Sequence, residues 1–312
     1  MLQPEKRPKV TVCVITYNQE KYISQCLQSI VDQVTEFDFE VIVGEDCSTD
    51  GTRAIVKEFA KRYPRTVKPI YQKTNIGGGV HNLLTVHSAA KGEYVCHIDG
   101  DDVAFPGKLQ KQADCLDNNK LSVLVWHKVN VFNDAGSVIK VLHNRLNEVV
   151  DVTSITKRDV LKYGMLGAHS STMYRRSAAP DFDAMNGEIL DYFIMVSILD
   201  SGSACRLEEV LGGYRLNISE QTISKNRSLY FNNSPTRKLY CAHLTWFFLN
   251  DENREFRESI FLNAFFNFLV DVRFLRPSSL NFIILAVRTF SFSSLVCFPD
   301  YFIKAMKLRA LS

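Results

Sequence analysis

The sequence predicts an α/β fold: a mostly parallel central sheet with helices on both faces, followed by a C-terminal helical region. Three observations predict it. Short β-branched runs alternate with helix-spaced apolar stretches through the first ~125 residues. Turn and capping residues separate those runs. Phenylalanine and net positive charge concentrate in the last fifth of the chain, where strand signals stop. Alternation of strand and helix implies right-handed crossovers and a sheet covered on both sides.

Val10 to Thr16, between Pro8 and Asn18, reads as the first strand. Ile23, Cys26, Leu27, Ile30 and Val31 then follow a helical period. Phe39 to Val43 is the second strand, and Ser48 or Thr49 is placed to cap a helix whose apolar face is Ile55, Val56 and Phe59. Val67 to Tyr71 is a strand, Leu83 to Ala90 a helix and Tyr94 to Ile98 a strand. Lys108 to Leu116 is a helix and Ser122 to Trp126 a strand. From 150 to 235 the pattern loosens into mixed strands and one helix, Leu190 to Leu199. Amphipathic stretches at 237–250, 255–274 and 279–290 close the chain.

Composition narrows the classes. The chain's 312 residues, 46% hydrophobic and 23% charged, suffice for one large or two modest domains and are too apolar for disorder. Lys and Arg total 37 against 34 Asp and Glu, a net charge of +3, so no nucleic acid is expected as a partner. Eight cysteines are scattered without a C-x-x-C pair, which argues against a zinc cage or disulfide scaffold and fits a reducing, intracellular compartment. The N-terminal stretch lacks the pattern of a secretory signal, and no window of ~18 apolar residues is uninterrupted.

In such sheets ligands bind beyond the carboxyl ends of the strands. Four sets of residues stand there: Thr16-Tyr17-Asn18, Glu45-Asp46, Asn75 to Gly79, and Asp99-Gly100-Asp101-Asp102. Three carboxylates within four residues repel one another unless a cation or several donors neutralise them. A hard divalent cation does so with oxygen ligands and keeps positions open for phosphates. A solvated acidic turn or helix start is the plainer account of the same residues. Asp46 is placed to accept from a base N–H, with Thr16 and Asn18 flanking it, and Ser48 to Gly51 read as cap and turn chemistry. The glycines after Asn75 let backbone approach a pyrophosphate.

These residues resemble a known family. Val-Ile-Thr-Tyr-Asn at 14–18, Glu-Asp-Cys-Ser-Thr-Asp-Gly-Thr at 45–52, Asn-Ile-Gly at 75–77, Asp-Gly-Asp-Asp at 99–102 and Pro106-Gly-Lys-Leu-Gln-Lys-Gln look like the family 2 glycosyltransferases of the GT-A fold, over residues 8 to about 225. The resemblance implies transfer of a sugar, with inversion, from a nucleotide-diphosphate donor (a UDP-sugar) in synthesis of a bacterial surface glycan. It implies a catalytic domain over 1–235, its nucleotide half about 8–125 and its acceptor half about 126–235, with a helical region at 236–312. Thr16, Tyr17, Asn18, Glu20, Asp46, Asn75, Gly77, Asp99, Gly100 and Asp101 would line the donor pocket, and Mn²⁺ or Mg²⁺ would sit on Asp99, Asp101 or Asp102. Asp191 is the candidate base, with Glu188 in reserve because Leu190 replaces the usual preceding Glu. His169 and Ser170 are candidates for the acceptor, and Arg215 for the diphosphate. Asn217 stands where the family often has His.

The tail lies outside the resemblance. From Arg254 to Ser312 it holds eight basic and four acidic residues and eleven of the 21 phenylalanines. Phe261, Phe265, Phe268, Leu269 and Val272 share one helical face, as interfacial attachment to an anionic membrane requires. Packing against the sheet, or against a second copy in a homodimer, is the other reading. The expected setting is cytoplasmic, peripheral on the inner face of the membrane, acting on a glycan or lipid-linked acceptor. Two other functions compete. A sugar nucleotidyltransferase would favour a Gly-rich loop with Arg and Lys after the first strand, where Thr16-Tyr17-Asn18-Gln19-Glu20 stands instead. A non-catalytic nucleotide- or glycan-binding protein is motivated by Leu190 and Asn217.

Overall fold

A computed structural model of the chain describes residues 7–77, 80–142, 154–164, 167–182, 190–216, 235–251, 254–273 and 278–311. The described residues fall into two compact units. The first comprises 1–143, 167–187 and 198–216, and the second 144–166, 188–197 and 217–312.

The first unit is built on one sheet. Strands β1 (Val10–Thr16), β2 (Phe39–Glu45), β3 (Val67–Tyr71) and β4 (Tyr94–Asp99) pair in parallel in the order β3-β2-β1-β4. Helices α1 (Ile23–Val31), α2 (Thr52–Arg62) and α3 (Val80–Ser88) make the crossovers. The run is buried along its length because both faces are covered: Val10, Val12 and Val14 are fully buried with Ile23, Leu27 and Ile30 of α1. Beyond β4 the pairing changes. After β5 (Val103–Ala104) and α4 (Lys108–Asn118) come β6 (Ser122–Phe132) and β7 (Val138–Leu142). Strand β8 (Thr172–Arg175) lies antiparallel between β4 and β6. Strand β9 (Ser203–Arg215) runs parallel to β6, β5 is antiparallel to β9, and β7 is antiparallel to β6. The parallel half is as the alternation predicts, and the second half is mixed.

Local chemistry explains several boundaries. Helix α2 does not begin on a Ser48 or Thr49 cap. Asp50 Oδ1 accepts from Thr52 N–H at 2.9 Å and Glu20 Oε2 from Gly51 N–H at 2.7 Å, so two longer acidic side chains satisfy the first turn. Ser48 Oγ instead accepts from the Asn18 N–H at 3.0 Å. Within β2, Glu40 is buried but accepts from Thr11 Oγ1 at 2.8 Å and pairs with Lys68 at 2.7 Å.

The second unit is helical: α5 (Lys157–Tyr163), α6 (Asp191–Ile198, residues 191–197 of which belong here), α7 (Pro235–Leu249), α8 (Arg257–Arg273), α9 (Ser279–Thr289) and α10 (Phe292–Leu311). A capping box of Thr156 and Asp159 starts α5, a helix that sequence periodicity missed. Tyr192 packs on Tyr240 at 4.8 Å and Phe193 on Phe247 at 5.0 Å. Asn263 Nδ2 donates to the Leu161 carbonyl at 2.7 Å and Tyr301 O–H to the Lys162 carbonyl at 3.0 Å. The phenylalanine face of α8 lies inside this unit: Phe261 is buried against Phe265 and Phe290, and Phe265 meets Phe298. The Phe261 and Phe265 part of that face is therefore packed within the unit, while Val272 at its far end is exposed. Helix α10 was missed because its serines and Pro299 obscure the period. Among the described residues no helix is long and apolar enough to cross a membrane.

Gly44 of β2 is a test of how tightly α3 sits on the sheet. A Cβ there would stand 2.3 Å from Asn82 Oδ1 and 2.7 Å from Val86 Cγ1. Gly44→Ala is expected to lower stability by about 1–3 kcal/mol, read from the urea midpoint, and an unchanged midpoint would refute the close packing.

Candidate active site

The carboxyl ends of β1, β2 and β4 bring most of the expected donor residues together in the first unit. Thr16 ends β1, and its carbonyl accepts from Asp46 N–H at 3.1 Å, joining the tips of β1 and β2. Thr16 Oγ1 donates to Gln19 Oε1 at 2.8 Å. Tyr17 is 44% exposed, so its ring is open to a ligand. Asn18 adopts a left-handed φ of 52°, which turns its Oδ1 to accept from Thr49 N–H at 2.8 Å. Glu20 is spent on the start of α2, as described above.

Asp46 is buried, and each of its oxygens accepts from the 75–77 segment: Oδ1 from Ile76 N–H at 2.9 Å and Oδ2 from Asn75 Nδ2 at 3.1 Å. A carboxylate has about four acceptor positions, so it still has lone pairs for another donor. Gly77 follows with a φ of 78°. Behind Asp46, buried Glu45 holds Arg53 and accepts from Ser48 N–H at 2.6 Å.

The Asp99–Asp102 turn carries the densest charge. Gly100 is required there: a Cβ would lie 2.5 Å from Gln19 Oε1 and 2.9 Å from the Ile15 carbonyl. Asp99 Oδ1 accepts from His97 Nε2 at 3.1 Å and Oδ2 from Ser170 Oγ at 3.2 Å, while Asp99 N–H donates to the same Oγ at 3.0 Å. For a neutral His97 the tautomers then run one way. His97 Nδ1 accepts from His87 Nε2 at 3.1 Å, and His87 Nδ1 accepts from Tyr174 O–H at 2.7 Å. His169 stacks on His97 with centroids 3.9 Å apart. Burial alone would raise the Asp99 carboxyl, but the hydrogen bonds from His97 and Ser170 hold it at about 2. Burial keeps His169 down at about 3 and His87 well below its ordinary range, so both rings are neutral.

Asp102 is the opposite case. It is 1% exposed, its Oδ1 accepts from Arg215 N–H at 2.8 Å, and its Oδ2 is buried with no hydrogen-bond partner. Burial first, then the charges of Asp99 and Asp101, push its carboxyl well above the usual range. Arg215, at the end of β9, donates Nε to the Asp101 carbonyl at 3.0 Å and Nη2 to Gln25 Oε1 at 2.6 Å. Its guanidinium lies 4.5 Å from both the Tyr22 and Phe132 rings. Expected at a phosphate, this side chain is engaged with the turn itself.

Ser170 and His169, expected at the acceptor, stand against Asp99 in a short 3₁₀ turn, 169–171. Helix α4 anchors that turn. Lys108 Nζ, 1% exposed, donates to the Ser170 carbonyl at 2.6 Å and to His127 Nε2 at 2.9 Å, and Gln112 Nε2 donates to the Ser171 carbonyl at 2.9 Å. Sequence reasoning quoted His97 and the Pro106-to-Gln112 segment without assigning them this work; the signal was a histidine and a lysine at otherwise apolar positions. Asp191 belongs to the second unit, in the first turn of α6, where its Oδ1 accepts from its neighbour Tyr192 N–H at 2.8 Å. Glu188 and Asn217 lie outside the described residues.

The donor set suits a hard divalent ion: clustered carboxylates, one with an orphaned buried oxygen. Among the described residues no three His, Cys, Asp or Glu side chains converge into a complete cage. A Mg²⁺-like ion needs only one or two carboxylates when substrate phosphates supply further ligands.

Comparison with known proteins places this geometry. The sequence model for glycosyl transferase family 2 matches residues 11–181. An uncharacterized protein of Mycobacterium tuberculosis, Rv1520, is 36% identical over 211 residues, which cover 66% of this chain and 58% of that protein. The chain thus spans little more than half the length of that relative. The putative teichuronic acid biosynthesis glycosyltransferase TuaG of Bacillus subtilis is 27% identical over 248 residues, covering 78% of this chain and 94% of TuaG. Among solved structures, S. aureus TarS 1–349 in complex with UDP-GlcNAc superposes with a TM-score of 0.54 at 20% identity, covering 97% of this chain and 92% of that one. The mannosyltransferase PcManGT of Pyrobaculum calidifontis, in complex with GDP-Man and Mn²⁺, gives 0.52 at 16% identity over 98% and 86%. These likenesses establish the GT-A fold.

Removing the Asp102 charge should relieve the turn. With its folded pKa raised, Asp102 costs stability as pH rises above the ordinary carboxylate range, so Asp102→Asn is expected to stabilise the cation-free protein at pH 7 by roughly 0.5–2 kcal/mol. Thermal unfolding in EDTA reads this, and a lower melting temperature for Asp102→Asn would contradict the picture of a strained, unneutralised carboxylate.

Proposed function

The chain belongs to glycosyl transferase family 2, and on that premise we propose that it is an inverting glycosyltransferase moving a sugar from a UDP-sugar to a hydroxyl of a glycan or lipid-linked acceptor in cell-surface glycan synthesis. One observation carries the reading: the strand ends join Thr16 and Asp46 to an aspartate turn whose Asp102 Oδ2 is buried without a partner. A nucleotide-recognition tip and an unneutralised carboxylate are what a nucleotide diphosphate and its cation require.

In this reading Asp46 accepts from the base N–H while residues 75–77 keep its carboxylate in place, and the exposed Tyr17 ring offers a face to the base. Asp99, held ionised by His97 and Ser170, accepts from donor hydroxyls. Asp101 and Asp102 would hold Mn²⁺ or Mg²⁺, which when bound supplies positive charge to the leaving diphosphate. Arg215 acts through the turn: its backbone N–H and Nε hold Asp102 and the Asp101 carbonyl, and its Nη2 ties the guanidinium to Gln25. Asp191 is proposed as the base that takes the acceptor hydroxyl's proton as the hydroxyl attacks the anomeric carbon from the face opposite the departing diphosphate. The ring stacking of His169 on His97 supports a role behind the donor, not on the acceptor.

We also propose attachment to the inner membrane surface through α9 and α10. Leu280, Ile284, Val287, Phe292, Leu295 and Val296 are exposed there, beside the exposed Arg288. The other occupant is a second copy of the chain.

Purified protein with Mn²⁺ or Mg²⁺ is expected to release UDP from at least one UDP-sugar, and EDTA to abolish the release. Asp101→Ala and Asp191→Ala should each lower turnover by at least about 10²-fold with unchanged thermal unfolding. Full turnover in either variant removes that residue from the mechanism, and its persistence in EDTA removes the cation. Flotation with vesicles rich in anionic lipid tests the membrane face: Val287→Glu with Val296→Glu should stay at the bottom of the gradient, and a doubled solution mass lost in the same variant would identify the face as a dimer contact instead.

A further inference from the structure

Two cysteines that the sequence keeps 90 residues apart meet in the first unit. Cys115, in the last turns of α4, and Cys205, on β9, bring their sulfurs to 2.7 Å. All other pairs of the eight cysteines lack such a contact among the described residues, and both of these thiols are free and part-exposed. Their carriers are fixed elements. Helix α4 buries Leu109, Ala113 and Leu116 in the core, and Cys205 lies opposite Val125 in the β6–β9 ladder. The turn after α4 is held by Arg175, which donates Nη2 to the Leu116 carbonyl at 2.5 Å and Nε to the Ser122 carbonyl at 2.9 Å.

We propose that Cys115 and Cys205 form a dithiol site that small-molecule disulfides oxidise to an intramolecular disulfide, stapling α4 to β9. The bonded separation is roughly 2.05 Å, so closure needs only small side-chain rotations. The thiols are not equivalent. Their mutual contact holds the Cys115 thiol below its ordinary range and, with burial, pushes Cys205 well above. Cys115 is thus the attacking thiolate. It displaces one thiolate from the small disulfide and forms a mixed disulfide. Cys205, losing its proton, then attacks the Cys115 sulfur and expels the second thiolate. One small disulfide is reduced to two thiols, which take up the two cysteine protons, and one protein disulfide is formed.

The staple ties together the two elements that support the aspartate turn. Helix α4 pins the 169–171 turn through Lys108 and Gln112, and β9 ends at Arg215, whose N–H holds Asp102. The inference stands on unit-internal geometry and is independent of the sugar-transfer reading, since its readouts are mass and melting temperature.

Full-length protein, reduced and freed of reductant, is treated with oxidised glutathione, blocked with iodoacetamide, digested and mapped by mass spectrometry. The expected product is one linked peptide pair containing Cys115 and Cys205, a melting temperature raised by about 5–10 °C, and reversal of both by dithiothreitol. Cys205→Ser should stop at a glutathione adduct on Cys115 with no rise, and Cys297→Ser should behave as the parent. Recovery of Cys115 and Cys205 both alkylated, or a disulfide joining any other pair, overturns the proposal.

Discussion

Crowding of carboxylates at the end of β4 is the constraint from which the rest of the first unit follows. Asp99, Asp101 and Asp102 share four residues, and Asp102 is buried away from the water that screens its two half-buried neighbours. The surrounding structure meets this unevenly. Asp99 accepts from His97 and Ser170 and stays ionised, whereas Asp102 accepts from the Arg215 N–H and keeps a buried oxygen with nothing to accept.

Supporting groups reach this turn from distant parts of the chain. His97 and His87 come from β4 and α3, Ser170 from the short 3₁₀ turn, Lys108 and Gln112 from α4, and Arg215 from the last strand. Several of them are buried polar side chains with their bonding largely satisfied. Such networks are costly to leave half made, so each member constrains the others' rotamers. The chain from Tyr174 through His87 and His97 to Asp99 couples these rotamers to one another.

Legibility in the sequence followed the range of the interactions. β1 was readable to the residue because its β-branched run and the flanking Pro8 and Asn18 are local signals. The strand-end motifs were readable for the same reason, since Asp46 and the aspartate turn each lie within a few residues of a strand. The mixed second half of the sheet was not, because antiparallel insertion of β8 depends on contacts between residues some 80 apart, such as Tyr94 with Arg175. Arg215 was legible as a cation, whereas its engagement by Gln25, Tyr22 and Phe132 was not. The α8 phenylalanines looked interfacial because period reveals a face but not what covers it.

The position of β8 bears on how the protein emerges from the ribosome. β4 finds its second neighbour only when residues 172–175 have been synthesised, and β6 gains its place in the sheet through the same strand. Until then the nascent chain holds four parallel strands with one raw flank of unpaired amides and carbonyls, and parallel pairings form slowly. Translation pauses or chaperone contacts would matter most over the stretch between Asp99 and Arg175, and a truncated product ending within it would be prone to edge-to-edge association.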